Sequence, residues 1–292
     1  MKYAQTIAAA ILAIAAFSAA CSSTSEPAEQ SRQALDLEAA EAQFERTPND
    51  EMAAVWLGRR LGYVGRYEDA VAAFTRGLQV HPDSAWLQRF RGHRYITLRR
   101  FDDAVKDLER ARDLAALRPD EVEPDGAPNK AGIPIGTLRS NIDYHLGLAH
   151  FLRGDFKSAW RAYEAGFETA RANDDRLVSH TYWSWLTLKH LGREDDAARL
   201  LAAIHPEMQI HENESYLALL RFFRGDITED ELMQSSATGK NDLATRGFGL
   251  GMKRLFDGDL RAARAAFDRV LAEGPPAAFG YIAAEAERAR IP

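Results

Sequence analysis

Apolar and small residues recur along most of this chain at helical spacing, and the recurrence itself repeats. Gly58 returns as Gly92, Ala70 as Ala104 and Phe74 as Leu108, each after 34 residues. Within one such stretch Leu57-Gly58 lets two helices approach, Tyr67 packs at the turn, and Ala70 and Phe74 face the partner helix. A fixed period of this length predicts helix–turn–helix units stacked in series, each burying its apolar face on the next. No segment alternates apolar and polar residues in steps of two, so no sheet is expected.

The period assigns units to 51–84 and 85–118. The turn glycines Gly154, Gly192, Gly225 and Gly258 carry it on through 140–173, 178–210, 211–243 and 244–276. The third unit holds Leu146-Gly147, Ala159 and Tyr163, and the sixth holds Leu250-Gly251, Ala263 and Phe267. Two units are degenerate. Trp185 stands where the fourth needs a small residue, and the fifth loses the Ala/Phe pair. A leading helix is expected over 33–46, and a closing helix over 277–291 that caps the last apolar face. Between the second and third units the period is exceeded by an insertion at 119–137. Its prolines Pro119, Pro124, Pro128 and Pro134, with the Asp125-Gly126 turn signal, exclude a helix there.

At their anchoring positions these units resemble the tetratricopeptide repeat (TPR) consensus. The resemblance implies an all-α fold: a right-handed TPR superhelix, or α-solenoid, of about six units. Two of them are degenerate, and a Pro-rich insertion interrupts the series. Repeats of this kind build curved surfaces that hold other molecules.

Met1–Cys21 reads as an export signal. Lys2 supplies the positive start, Ile7–Phe17 the apolar stretch and Ser18-Ala19-Ala20 a small-residue cleavage site. The apolar run is too short for a bilayer span of about 20 residues. Cys21, the only cysteine, follows directly. It resembles the cysteine of a bacterial lipobox, which is diacylated and becomes the mature N-terminus, although Ser18 stands where that motif prefers Leu. Ordinary cleavage after Ala20 would leave a lone thiol instead. By resemblance to Gram-negative lipoproteins, Ser22 rather than Asp after the cysteine implies sorting to the outer membrane, facing the periplasm. Residues 22–32 read as a flexible tether. The formal charge of −6, more negative still without Lys2, makes nucleic acid a poor partner.

From signal to C-terminus the layout resembles NlpI-type lipoproteins, which are TPR adaptors of the cell envelope. The likeness is clearest in Tyr216–Met233 followed by Phe248–Phe267. It implies a non-catalytic, lipid-anchored scaffold that docks an envelope protein or peptide on its concave face, with no cofactor. A closer likeness, including the DGAPNKAGIP stretch, is to uncharacterised bacterial TPR proteins.

In TPR arrays the first helix of each unit lines the concave face at unit positions 2, 5, 9, 12 and 13. That geometry presents Arg59, Tyr63, Arg89 and His93 from the first two units, and Tyr144, Tyr182 and His190 from later ones. Arg89 and His93 are four apart and share a helix face, a cationic patch suited to a carboxylate or an acidic peptide. The plainer alternative is a solvated basic helix whose arginines pair with nearby acids. Phe151, Phe222 and Phe248 are expected in packing. No metal site is expected: His180 and His190 lie about 15 Å apart along one helix, and His145 and His150 point to different faces. No nucleophile elbow, phosphate loop or metalloprotease motif is present, so no enzyme is expected. A second reading puts a small-molecule, glycan or catalytic pocket between the 119–137 insertion and Trp183/Trp185, with the insertion as lid. A third pairs two copies through the degenerate fifth unit.

Overall fold

The computed structural model describes residues 25–234 and 239–291. The described residues form fourteen helices and one isolated β-bridge. The export signal and the lipidation candidate Cys21 lie outside them. The chain divides into two compact units, one ending at Val80 and the other beginning at His81.

The first unit holds α1 (Ser25–Arg46), α2 (Glu51–Tyr63) and α3 (Tyr67–Val80). The helix α1 begins well before residue 33, so residues 25–32 are its opening turns and not part of a tether. The sequence permits this. Pro27 falls in the first turn, where a missing N–H would have no helical partner anyway, and Glu29 pairs with Arg32 one turn on at 2.6 Å. The Asp50 side chain starts α2 by accepting from the Ala53 N–H at 2.6 Å. Arg60 on α2 pairs with Asp36 on α1 at 3.0 Å. Gly58 shows why the repeat needs a small residue: Cε1 of Phe74 lies 2.3 Å from where a β-carbon would stand.

The second unit holds five further helix pairs and a closing helix. The pairs are α4 (Ala85–Thr97) with α5 (Phe101–Ala115), α6 (Leu138–Arg153) with α7 (Phe156–Ala170), and α8 (Asp174–His190) with α9 (Glu194–Leu201). They continue with α10 (Glu214–Arg224) and α11 (Glu229–Met233), then α12 (Lys240–Phe256) and α13 (Leu260–Glu273), and end in α14 (Phe279–Arg290). Gly92 against Leu108, Gly147 against Tyr163 and Gly251 against Phe267 repeat the close approach seen at Gly58. Leu108, Tyr163 and Phe267 are fully buried, and burial of each large apolar side chain contributes about 1.5–3 kcal/mol. In the fourth pair Trp185 is accommodated by stacking on Phe223 at 4.1 Å. There α9 shrinks to eight residues, and Ile204 and Met208 beyond it are buried in its place.

The insertion folds as a strap. Val122 and Thr137 form the β-bridge, with Glu123 N–H donating to Gly136 O at 3.0 Å and Leu138 N–H to Glu121 O at 2.8 Å. The Asn173 side chain, at the start of α8, donates to Ile135 O at 3.0 Å. Thr137 then caps α6 reciprocally with Ser140.

Candidate functional site

The arginine at the centre of the patch expected on α4 is buried, and the chain itself supplies its carboxylate. Arg89 meets Glu123 of the strap at two points, Nε to Oε2 at 2.9 Å and Nη2 to Oε1 at 3.1 Å. The Asn141 side-chain amide on α6 donates to the same carboxylate at 2.8 Å. A charge-assisted hydrogen bond of this kind, here from Arg89 Nη2, is among the stronger polar contacts. Other arginines of the same segment are paired too, Arg91 with Asp107 at 2.6 Å and Arg100 with Asp103 at 2.7 Å.

His93 lies one turn along α4 from Arg89, with its Nε2 accepting from Arg94 Nη2 at 2.7 Å. Its ring sits 4.5 Å from His145 and 5.3 Å from Phe279, the first residue of α14. His145 Nδ1 faces the Asn141 carbonyl at 2.6 Å, so that nitrogen carries the proton. Burial, and then the nearby Arg89 charge, holds the His145 pKa well below the usual histidine range. Behind it, Trp183 Nε1–H donates to the Tyr144 hydroxyl at 2.9 Å, and that hydroxyl shares a 3.0 Å hydrogen bond with Tyr216. Burial pushes the Tyr144 hydroxyl pKa well up.

The closing helix does more than cap α13. It also reaches the first helices of earlier repeats. Gly280 lets its backbone come close to α12, where a β-carbon would stand 2.7 Å from Ala244 O. Glu287, almost wholly buried, pairs with His190 at 3.1 Å and Arg290 at 2.5 Å. Arg290 Nη2 donates to Phe151 O at 3.1 Å, at the end of α6. Arg99 Nη2 reaches Glu285 at 2.7 Å and Pro276 O at 2.9 Å. Arg99 holds a left-handed φ of 61° at a turn where Gly154 and Gly225 serve in later repeats. A side chain there is strained, and this one ties the turn to the closing segment.

Among the described residues, cavities lie on two sides of α14. One of 280 Å³ is framed by His93, Arg94 and Thr97 of α4, Tyr216 of α10, Asn241 and Thr245 of α12, and Phe279 with the two alanines before it. The other, of 350 Å³, lies between Phe156, Lys189, His190, Phe256 and the end of α14.

The sequence-derived residues therefore scatter. Arg59 and Tyr63 belong to the first unit, where Arg59 Nη2 donates to the Tyr63 hydroxyl at 3.1 Å and lies 4.5 Å over the Trp56 ring. Arg89 is 4% exposed and held by Glu123. His93 lines the first cavity and His190 the second. Tyr144 is half-buried, with its ring 6.4 Å from Phe279. Tyr182 is a correction: it is wholly buried and faces α10, stacking on Tyr216 at 4.7 Å. The pocket expected beside Trp183 and Trp185 is a second correction, because both indoles are core residues, stacked on Phe248 and Phe223. Phe151 and Phe248 are buried in packing, as expected.

Arg94, Tyr216, Asn241 and Phe279 were not singled out from the sequence. Thr97 and Thr245 could have been, since they hold positions 13 and 2 of their units.

No protein-family model matches this chain, and no curated protein matches it. Solved structures do. A tetratricopeptide repeat protein from Parabacteroides merdae superposes with a TM-score of 0.52 at 15% identity, over 88% of this chain and 94% of that one. YrrB, a TPR protein with an unusual peptide-binding site, gives 0.46 at 14% identity over 86% and 99%. PilW, a type IV pilus biogenesis factor, gives 0.47 at 14% identity over 85% and 90%. The P. merdae likeness and the paired helices described above agree on the fold. It is an all-α solenoid of the TPR type.

Proposed function

We propose that this chain is a non-catalytic scaffold of the bacterial envelope, anchored by lipid at Cys21 and facing the periplasm from the outer membrane. It docks a protein or peptide partner at the inner-face cavity between α4, α10, α12 and the start of α14. The observation that carries this reading is the lining of that cavity. Arg94 brings a permanent positive charge, while His93, Thr97, Asn241 and Thr245 bring hydrogen-bonding groups. Phe279 and its two preceding alanines form an apolar wall. That combination suits a carboxylate flanked by a small apolar group, as at the end of a peptide chain or on one acidic side chain. The resemblance to NlpI-type adaptors, together with the signal and Cys21, supports the envelope setting.

Two experiments test the reading. Metabolic labelling with an alkynyl fatty acid should mark the wild-type chain and leave Cys21→Ser unmarked; equal labelling would remove the anchor. Affinity capture from solubilised membranes should recover a partner with wild type and lose it with Arg94→Glu/Asn241→Ala. Equal recovery would remove the cavity as the docking place.

A further inference from the structure

In the second unit, the second helices α5 and α7 set the rule by packing along the first helices of the next pairs, α6 and α8, while the short α9 and α11 touch theirs over little of their length. The fifth pair breaks this rule. Its second helix α11 has 5 residues, against 15 in α5, 15 in α7 and 14 in α13. The short α9 is made good by buried Ile204 and Met208. Among the described residues nothing comparable covers α12 after α11: Met233 is 38% exposed and Leu243 46%. Among the described residues, no helix covers the face of α12 that a full-length partner helix would cover, and it presents Leu243, Gly247 and Leu250 at i, i+4 and i+7. Ala266 and Val270 of α13 make the opposite wall, and the space between measures 160 Å³. Gly247 opens the floor, for a β-carbon there would stand 2.7 Å from Val270 Cγ2. Lys240, Arg269 and Glu273 stand at the rim, with Arg269 and Glu273 paired at 3.3 Å.

We propose that this groove docks one amphipathic helix of a partner protein, in the place of the second helix that the fifth repeat lacks. Three features select a helix. The period of the fold puts a helix there in the other well-formed pairs. The apolar row on α12 has the spacing that receives helical ridges. The walls are helices whose backbone groups are already bonded, so an extended strand would find no edge to pair with. Lys240 at the rim favours an acidic residue flanking the apolar row of the incoming helix. This groove stands apart from the His93/Arg94 cavity, so the inference does not rest on the function proposed above.

The test uses the full chain and a defined probe, an acetylated, amidated and fluorescein-labelled peptide with the sequence of α5, FDDAVKDLERARDLA. This is a full-length second helix with an apolar row at Ala104, Leu108 and Ala111. Fluorescence anisotropy should show saturable binding to wild type. Leu243→Glu and Met233→Glu, both at exposed positions, should each weaken it by about tenfold or more at unchanged melting temperature, and Arg94→Glu should leave it unchanged. Absence of saturable binding to wild type, or equal binding to both groove variants, would overturn the proposal. Loss of binding with Arg94→Glu alone would overturn it as well, by moving the peptide to the inner face.

Discussion

Arg89 on α4 and Glu123 on the Pro-rich strap form an ion pair in which both side chains are nearly out of solvent, 4% and 11% exposed. The acidic ligand that a cationic helix face would recruit from outside is supplied from within. Further along, α14 meets the first helices α4, α6 and α8. Between α4 and α14 lies the opening beside His93 and Arg94.

Removing one member of the pair leaves the other buried without its counter-charge. Glu123→Ala is expected to lose about 3 kcal/mol of stability, and the double variant Arg89→Met/Glu123→Leu to regain most of it. Urea denaturation of the three proteins checks this. A double variant no better than the single one would show that the strap needs the charges themselves.

Two buried groups give opposite pH dependences. Burial holds the His180 pKa down at about 4, while an unfolded histidine titrates near 6.5. As pH falls the unfolded chain takes the proton first. The stability from a neutral His180 is therefore whole above pH 6.5 and is lost towards pH 4, by about 3 kcal/mol. Asp143 runs the other way, because burial raises its pKa to about 7. The folded chain takes that proton first, so stability is gained as pH falls from 7 towards 4. Asp143→Asn should accordingly be more stable than wild type at pH 8 and lose that advantage at pH 4. His180→Gln should flatten the decline between pH 6.5 and 4. Denaturation at pH 4, 6 and 8 measures both, and a pH-independent Asp143→Asn difference would refute the first.

Arg99 combines a strained backbone with a useful side chain. Arg99→Gly relieves the left-handed φ, worth about 1 kcal/mol, and gives up a half-exposed ion pair worth at most about 1 kcal/mol. Its stability should stay near wild type. Arg99→Ala keeps the strain and loses the pair, so it should be the less stable of the two. In both, amide exchange in α14 should quicken, because the tie to Glu285 and Pro276 O is gone. Equal melting temperatures for the two variants would count against the strain.

Gly251 permits the contact between α12 and α13, since Phe267 Cε1 lies 2.4 Å from a would-be β-carbon. Gly251→Ala should cost about 1–3 kcal/mol through forced repacking, read as a lower denaturation midpoint at an unchanged slope. An unaffected midpoint would mean that the ring has room to move.

The sequence made the helix pairs legible because Gly58, Gly92, Gly147 and Gly251 mark local, periodic close approaches. It did not reveal the fold-back of the strap and of α14. Glu123 and Glu285 lie outside the repeat pattern, in the insertion and the closing helix, and find their arginines through tertiary contacts that the pattern does not encode. Counting unit positions reaches Thr97 and Thr245 at the cavity. It fails at Tyr182, in the degenerate fourth unit, where that position faces α10 and the ring belongs to the core. The tether was misjudged because the polar composition of residues 25–32 hides good helix formers behind a proline that a first turn accepts.

The central claim is that a partner enters the opening beside His93 and Arg94. In-cell photocrosslinking from an unnatural residue at Thr245 tests it most directly, with Glu164, exposed on α7, as control. The account predicts a discrete adduct from position 245 that is absent from 164 and lost when Arg94→Glu is added. Adducts of equal yield from both positions, or none from 245, would contradict it.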